Sequence, residues 1–174
     1  MTGGPEGSTA QAPSPATVKR LWTEWDRLSN YMGKTRRHLE ATANEEVFLG
    51  SVLIHSYALA ENAAAQWLGA DQRTLCGIED WGERLLASNG KTWKDVEGGK
   101  AGAVELAITR NAFAHGTREI EPWTASRLNS AGRQSRPAGY PVTLDYAQLK
   151  AYRKTLRSLL EAGGLGRHVR AGAM

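Results

Sequence analysis

The sequence predicts an all-α protein, an up-and-down bundle of four to five helices with a long basic loop before the last helix. Apolar residues recur at spacings of three and four along most of the chain, which is the period of amphipathic helices. The alternation typical of a strand is confined to a short scrap at 140–144. The 174 residues are 41% hydrophobic and include six Trp, which is enough for one packed core.

The first two predicted helices carry the strongest pattern. The first begins at Ser14 and Pro15, because a serine hydroxyl can cap a helix and proline suits its first position. The second runs from Asn44-Glu45-Glu46 to a stop at Gly69 and is apolar around most of its surface, so we expect it to be the central, buried helix. The apolar stripe of the first helix consists of Val18, Leu21, Trp22, Trp25, Leu28 and Met32.

Shorter helical segments follow. Residues 78–88 predict a third helix that ends at the Asn89-Gly90 turn, and 92–96 predict a helical turn closed by Gly98-Gly99. A fourth helix then carries the sequence VELAITRNAFA.

The last part of the chain combines a loop and a closing helix. No helical period is visible from Gly116 to Pro141, and so long a loop in a compact domain is usually functional or disordered. The closing helix follows an Asp145 cap, and its apolar stripe consists of Leu149, Tyr152, Leu156, Leu159 and Leu160. The expected domain therefore spans 15–162, with a disordered arm at 1–14 and a flexible tail at 163–174.

Composition limits the classes of partner. The net charge of +4 and the pI of about 9.4 favour an anionic partner. A single cysteine, Cys76, cannot form an intramolecular disulfide, and no signal peptide or membrane-spanning run is visible, so we expect a cytoplasmic protein. The histidines lack a partner at metal-ligand spacing, so neither a metal nor a cofactor is expected.

The segment from Arg110 to Gly116, RNAFAHG, gathers the groups most suited to chemistry. Arginine binds phosphate through a planar fork of donors, and histidine can take and give a proton at neutral pH. Asn111 and His115 are four residues apart and share a helix face, which predicts that Asn111 orients the imidazole. Arg110 and His115 are five apart and do not share a face.

This motif resembles the Arg-x4-His signature of HEPN domains, and two further segments agree with their RiboL-PSP type. One is SYALAENAAAQWL, a helix with Glu61 near its centre, and the other is KTWKDV, a linker before the motif helix. The resemblance covers roughly residues 44–116 and a final helix of the right length.

The resemblance implies a metal-independent RNA endonuclease of a bacterial toxin–antitoxin or antiphage defence system. Its site would form between the motif helices of a homodimer, with Arg110 holding the phosphoryl group and His115 acting as general base or acid. Glu61 would be a supporting acidic residue, and an antitoxin or regulatory protein is an implied partner, with no membrane partner. Some HEPN toxins carry a tyrosine that a nucleotidyltransferase antitoxin modifies, but this chain has Thr117 there, so that partner is not inferred.

Each of these assignments has a structural alternative. His115 could bond local carbonyls at a helix end, Arg110 could pair with Glu105 or Glu61, and His55 is expected to be a core histidine. Trp93 and Trp123 lie near the motif, where a ring could stack on a base. The whole chain could also be a non-catalytic HEPN-like module that binds RNA, a nucleotide or a protein, or a nuclease held off until a trigger arrives. The arginines expected to grip RNA, or else to line a solvated loop, are Arg118, Arg127, Arg133 and Arg136.

Overall fold

The computed structural model describes residues 14–39, 45–132 and 136–167, and these form an all-α bundle of six α-helices. The helices are α1 (Pro15–Leu39), α2 (Glu45–Leu68), α3 (Ile78–Ser88), α4 (Gly99–Ala114), α5 (Pro122–Ser130) and α6 (Tyr146–Leu160). The predicted class is therefore confirmed, with one helix more than the four to five expected.

The central position of α2 is also confirmed. This helix packs against α1, α3, α4 and α6, which explains why apolar residues surround most of its axis. Its buried side chains meet those of the other helices around Trp81, which is fully buried.

Local caps fix the predicted ends of several elements. Pro15 begins α1, and the backbone N–H of Thr17 donates to the Ser14 carbonyl and hydroxyl oxygens. Reciprocal hydrogen bonds between Thr92 and Asp95 form a capping box for the short 3₁₀ turn Trp93–Asp95. Asp145 caps α6 in the same way.

The segment predicted to be a loop contains α5, which corrects that expectation. Among the residues of α5, Thr124 and Leu128 are buried, whereas Trp123 is exposed. A helix of nine residues is too short to show a repeated apolar stripe in the sequence. A second small core, formed with Ile120 and residues of α4, holds it against the bundle. The scrap at 140–144 is an isolated bridge between Glu119 and Pro141.

The C-terminal boundary is also corrected, because the packed chain continues beyond residue 162. After α6 the chain makes a short π-helical turn, Glu161–Leu165, in which Gly163 and Leu165 are buried. Trp22 Nε1 donates to the Leu165 carbonyl oxygen at 2.9 Å, and Arg167 forms an ion pair with Asp26. The arm at 1–13 and the tail from 168 lie outside the described residues. No helix in the described segments is long and apolar enough to span a bilayer.

The packing of this turn gives a prediction for Gly163→Ala. A Cβ atom there would lie 2.4 Å from Leu85 Cγ, so we expect the free energy of unfolding to fall by about 1–3 kcal/mol. Gly166→Ala is the matched control, since nothing lies within 4 Å of its added Cβ. Denaturant unfolding of both variants checks this, and equal stabilities would show that the turn is not packed.

Candidate active site

The motif lies at the C-terminal end of α4. The residues that precede it are buried, which anchors the helix in the core. His115 is the C-terminal cap residue, and Gly116 follows with φ of +71°, the left-handed conformation that glycine adopts readily. The chain then turns so that the Arg118 N–H donates to the Ala112 carbonyl oxygen at 3.1 Å. The end of the helix is thereby fixed, and the motif side chains start from an ordered backbone.

Arg110 lies half-buried against an aromatic ring. Its guanidinium carbon is 4.6 Å from the centroid of the Tyr57 ring, and its Nε atom is buried without a hydrogen-bond partner. Trp81 Nε1 donates to the Tyr57 hydroxyl at 3.4 Å. Burial raises the pKa of Tyr57 to about 12, so the phenol is neutral at physiological pH. A buried Trp–Tyr pair thus supports the cation from below.

Asn111 does not orient the imidazole in this structure, which corrects the prediction from spacing. Its Oδ1 atom accepts a hydrogen bond from Arg110 Nη1 at 2.8 Å. The amide oxygen therefore positions the arginine, whose charged donor is the stronger partner.

The imidazole is instead partnered by Glu121, a residue that the sequence did not reveal. His115 Nδ1 lies 3.4 Å from Glu121 Oε1, and the imidazole side chain is 52% exposed while that of Glu121 is 12% exposed. Glu121 directly precedes α5 and has no fixed helical spacing to the motif. Only the unforeseen fold of the 116–141 segment brings it to His115.

Glu61 lies near the same aromatic pair but is not bonded to Arg110 by any contact described. Its Oε2 atom accepts from Gln72 Nε2 at 3.2 Å. Both Glu61 and Arg110 act on the pKa of Tyr57, behind burial and the Trp81 bond, and in opposite directions. The supporting role of Glu61 therefore stays a prediction.

Two of the four predicted RNA-binding arginines are held near the motif with part of their surface open. Arg118 pairs with Glu46 Oε2, and its guanidinium carbon lies 4.1 Å from the centroid of the Phe113 ring. The guanidinium carbon of Arg136 lies 5.6 Å from the Tyr140 ring centroid, and its Nη2 atom is 3.9 Å from Glu105 Oε1. Arg133 lies outside the described residues.

Arg127 has a different role from the one predicted. Its Nε and Nη2 atoms donate to the two carboxylate oxygens of Glu79 at 2.9 and 2.8 Å. These two guanidinium donors are therefore occupied by a partner inside the protein. Burial, the largest single influence, acts to raise the pKa of Glu79, but the hydrogen bonds from Arg127 and from the backbone, together with the charges of Arg127 and Lys100, leave that pKa lowered. Arg127 thus ties α5 to α3.

Arg127→Met is expected to lower the free energy of unfolding by about 1–2 kcal/mol at neutral pH, with little change in RNA binding. A lowered carboxylate pKa contributes stability that is present above the unfolded value, near 4.5, and is lost as pH falls through the folded value. The difference between wild type and variant should therefore shrink in acid. Denaturant unfolding across pH 3–7 checks this, and a gap that stays constant or widens in acid would refute the ion-pair account.

The remaining predictions concern Trp93, Trp123 and His55, and the structure places these residues differently. Trp93 packs against the core, where its ring would contact any Cβ added at Gly82. Trp123 is 62% exposed and lies on α5, close in sequence to Glu121. His55 is exposed on α2, so the expectation of a core histidine was wrong. No three His, Cys, Asp or Glu side chains among the described residues cluster in a way that could hold a metal ion.

Comparisons with protein-family models, with curated proteins and with solved structures found no match to this chain. The resemblance to HEPN domains rests on the motif, the linker and the helix order quoted above.

Proposed function

We propose that this chain is a metal-independent RNA endonuclease whose chemistry is carried by Arg110 and His115. The observation that supports it best is the environment of the motif. A permanent cation is held on an aromatic platform, and a half-exposed imidazole at the end of the same helix is backed by a carboxylate. These are the two kinds of group that phosphodiester cleavage by a ribose 2′-hydroxyl needs, because it requires proton transfer and charge stabilisation.

The proposed reaction is attack of the ribose 2′-hydroxyl on the neighbouring phosphate. His115 takes the proton of the 2′-hydroxyl as the 2′-oxygen attacks phosphorus, and Arg110 stabilises the charge that develops on the phosphoryl oxygens. The bond from phosphorus to the 5′-oxygen breaks, that oxygen takes a proton from water, and the imidazolium returns its proton to solvent. The products carry a 2′,3′-cyclic phosphate and a 5′-hydroxyl.

A homodimer would complete the site. Arg110 and His115 do not share a helix face, so one protomer presents them in different directions. Beside the motif an open groove of about 190 Å³ lies between α2 and the end of α4, flanked by exposed Val47. Two copies facing each other there would bring the arginine of one chain towards the histidine of the other.

Mixing Arg110→Ala with His115→Ala tests that arrangement. Heterodimers of the two variants retain one intact arginine and one intact histidine, so we expect cleavage above that of either variant alone. Sedimentation of each variant controls for dimer formation. Dimers that mix and gain no activity would contradict a site shared in this way.

We propose that Arg118, Arg136 and Trp123 contact RNA as it reaches the motif. The exposed indole suits stacking on a base, which is worth about 1–3 kcal/mol. Trp123→Ala should therefore raise KM about 5- to 150-fold and change kcat little. Steady-state kinetics on a short RNA checks this, and an unchanged KM would remove Trp123 from the path.

The function is tested with an RNA oligonucleotide and a copy of the same sequence carrying 2′-O-methyl groups throughout. We expect both to bind and only the unmodified RNA to be cut, since the methyl group removes the nucleophile. Cleavage of both would refute the 2′-hydroxyl mechanism. Tight binding with cleavage of neither would favour the non-catalytic module. Growth arrest on expression in bacteria, relieved by His115→Ala, would support the toxin or defence role.

A further inference from the structure

His115 pairs with Glu121, a residue that lies outside the Arg-x4-His motif. Glu121 Oε1 faces the Nδ1 atom of the ring at 3.4 Å, and its carboxylate is mostly shielded while the imidazole is half exposed. A shielded carboxylate behind an exposed imidazole is the order found where a carboxylate fixes the orientation of a catalytic histidine.

The backbone holds Glu121 firmly in this place. The Ile120 side chain before it is buried, and the Ile120 N–H donates to the Tyr140 carbonyl oxygen at 2.9 Å. The Glu121 carbonyl oxygen accepts from both the N–H and the hydroxyl of Thr124, at 2.9 and 2.7 Å, and Thr124 is buried. The carboxylate is also at the N-terminal end of α5, where a negative charge is favoured.

Two other side-chain acceptors of this region are engaged elsewhere. Asn111 Oδ1 accepts from Arg110, and the Glu46 carboxylate pairs with Arg118. Among the described residues, the side-chain acceptor facing the Nδ1 atom of His115 is Glu121.

We propose that Glu121 is a positioning residue: its carboxylate accepts a hydrogen bond from the Nδ1–H group of His115 and leaves Nε2 facing the substrate. In the neutral ring Nδ1 keeps its hydrogen and the Nε2 lone pair is free to take a proton; in the charged ring both nitrogens donate and the carboxylate balances the charge. The separation of 3.4 Å is long for a hydrogen bond. Such contacts often shorten only when substrate is bound. The catalytic part of this inference rests on the proposed function, whereas the choice of tautomer does not.

Three variants separate the role of the carboxylate from a structural one. Glu121→Ala removes the acceptor, and Glu121→Gln keeps an oxygen that can accept from Nδ1–H while losing the charge. Glu119→Gln is the matched control, because Glu119 is an exposed glutamate two residues away on the same segment. Unfolding curves identify any variant that has lost its fold.

The first readout is the ¹⁵N chemical shift of the two imidazole nitrogens in the full-length protein at a pH where His115 is neutral. We expect hydrogen on Nδ1 in the wild type, in Glu121→Gln and in Glu119→Gln, and a shift of the hydrogen towards Nε2 in Glu121→Ala. A wild-type ring with hydrogen mainly on Nε2, or a Glu121→Ala ring unchanged from wild type, would overturn the proposal.

The second readout is cleavage of a short RNA. We expect Glu121→Ala to lower kcat about 10- to 100-fold at unchanged KM, with Glu121→Gln between it and wild type. Wild-type kcat in Glu121→Ala would overturn the positioning role even if the nuclease function holds. If the wild type cuts no RNA but the ¹⁵N shifts behave as expected, the proposed function fails and the assignment of Glu121 to His115 stands.

Discussion

His115→Ala is expected to lower the rate of RNA cleavage by about 10²–10⁴-fold, the range that a positioned acid or base contributes. The imidazole is half exposed and its described side-chain partner is Glu121, so few packing contacts are lost with it. The fold should therefore survive, and the loss can be assigned to chemistry. Initial rates on a short RNA, with unfolding curves for the same preparations, make the measurement.

Thr117→Ala is the matched control for this variant. Thr117 is exposed and lies two residues beyond His115, so the change is equally close to the motif and removes no imidazole. Its rate should stay within a factor of about two of the wild type, since surface substitutions of this kind have small effects. A His115→Ala enzyme that cleaves at the wild-type rate would show that the active-site assignment is wrong.

Trp81→Ala is expected to have the largest effect on stability, lowering the free energy of unfolding by about 3–5 kcal/mol. The indole is fully buried, lies edge-on to Tyr57 with ring centroids 6.0 Å apart, and donates its Nε1 hydrogen to the Tyr57 hydroxyl. Its removal leaves a cavity in the main core and withdraws the support of the ring beneath Arg110. Denaturant unfolding followed by circular dichroism gives the free energy.

Trp123→Ala controls for the loss of an indole as such. That ring is exposed, so the same substitution should change stability by no more than about 0.5 kcal/mol. If Trp81→Ala does not fold, Trp81→Phe keeps most of the volume and should lose about 1–3 kcal/mol. Equal stability of the Trp81 and Trp123 variants would contradict the position given to Trp81 in the core.

The helices α1 and α6 could be predicted from sequence because their burial is one-sided and their starts carry local signals. The Ser14-Pro15 start and the Asp145 cap are such signals, and both lie where the structure has helix starts. The α5 helix gave no such signal, since its large apolar residue Trp123 is exposed and its fully buried side chains include only one apolar residue, Leu128, beside Thr124. The packed turn at 161–165 was missed because glycine-rich sequence looks like a tail when its tertiary contacts are unknown.

The candidate site likewise has residues that the sequence could predict and residues that it could not. Arg110, Asn111 and His115 lie within one helical segment, so their proximity follows from spacing alone. Their partners do not, because Tyr57 and Glu121 reach the motif through tertiary packing. The spacing of Asn111 and His115 predicted a contact between them, but Asn111 accepts a hydrogen bond from its charged neighbour Arg110 instead. The role predicted for Arg127 came from its place in an arginine-rich segment, and tertiary packing pairs this arginine with the distant Glu79 instead.

Cleavage of RNA in excess EDTA, with wild type and His115→Ala purified side by side and the product ends mapped, tests the central claim most directly. The account predicts wild-type cleavage without metal, products ending in 2′,3′-cyclic phosphate and 5′-hydroxyl, and formation of the same products about 10²–10⁴-fold more slowly by His115→Ala. Cleavage that EDTA abolishes and Mg²⁺ restores, or products with 3′-hydroxyl and 5′-phosphate ends, would contradict it.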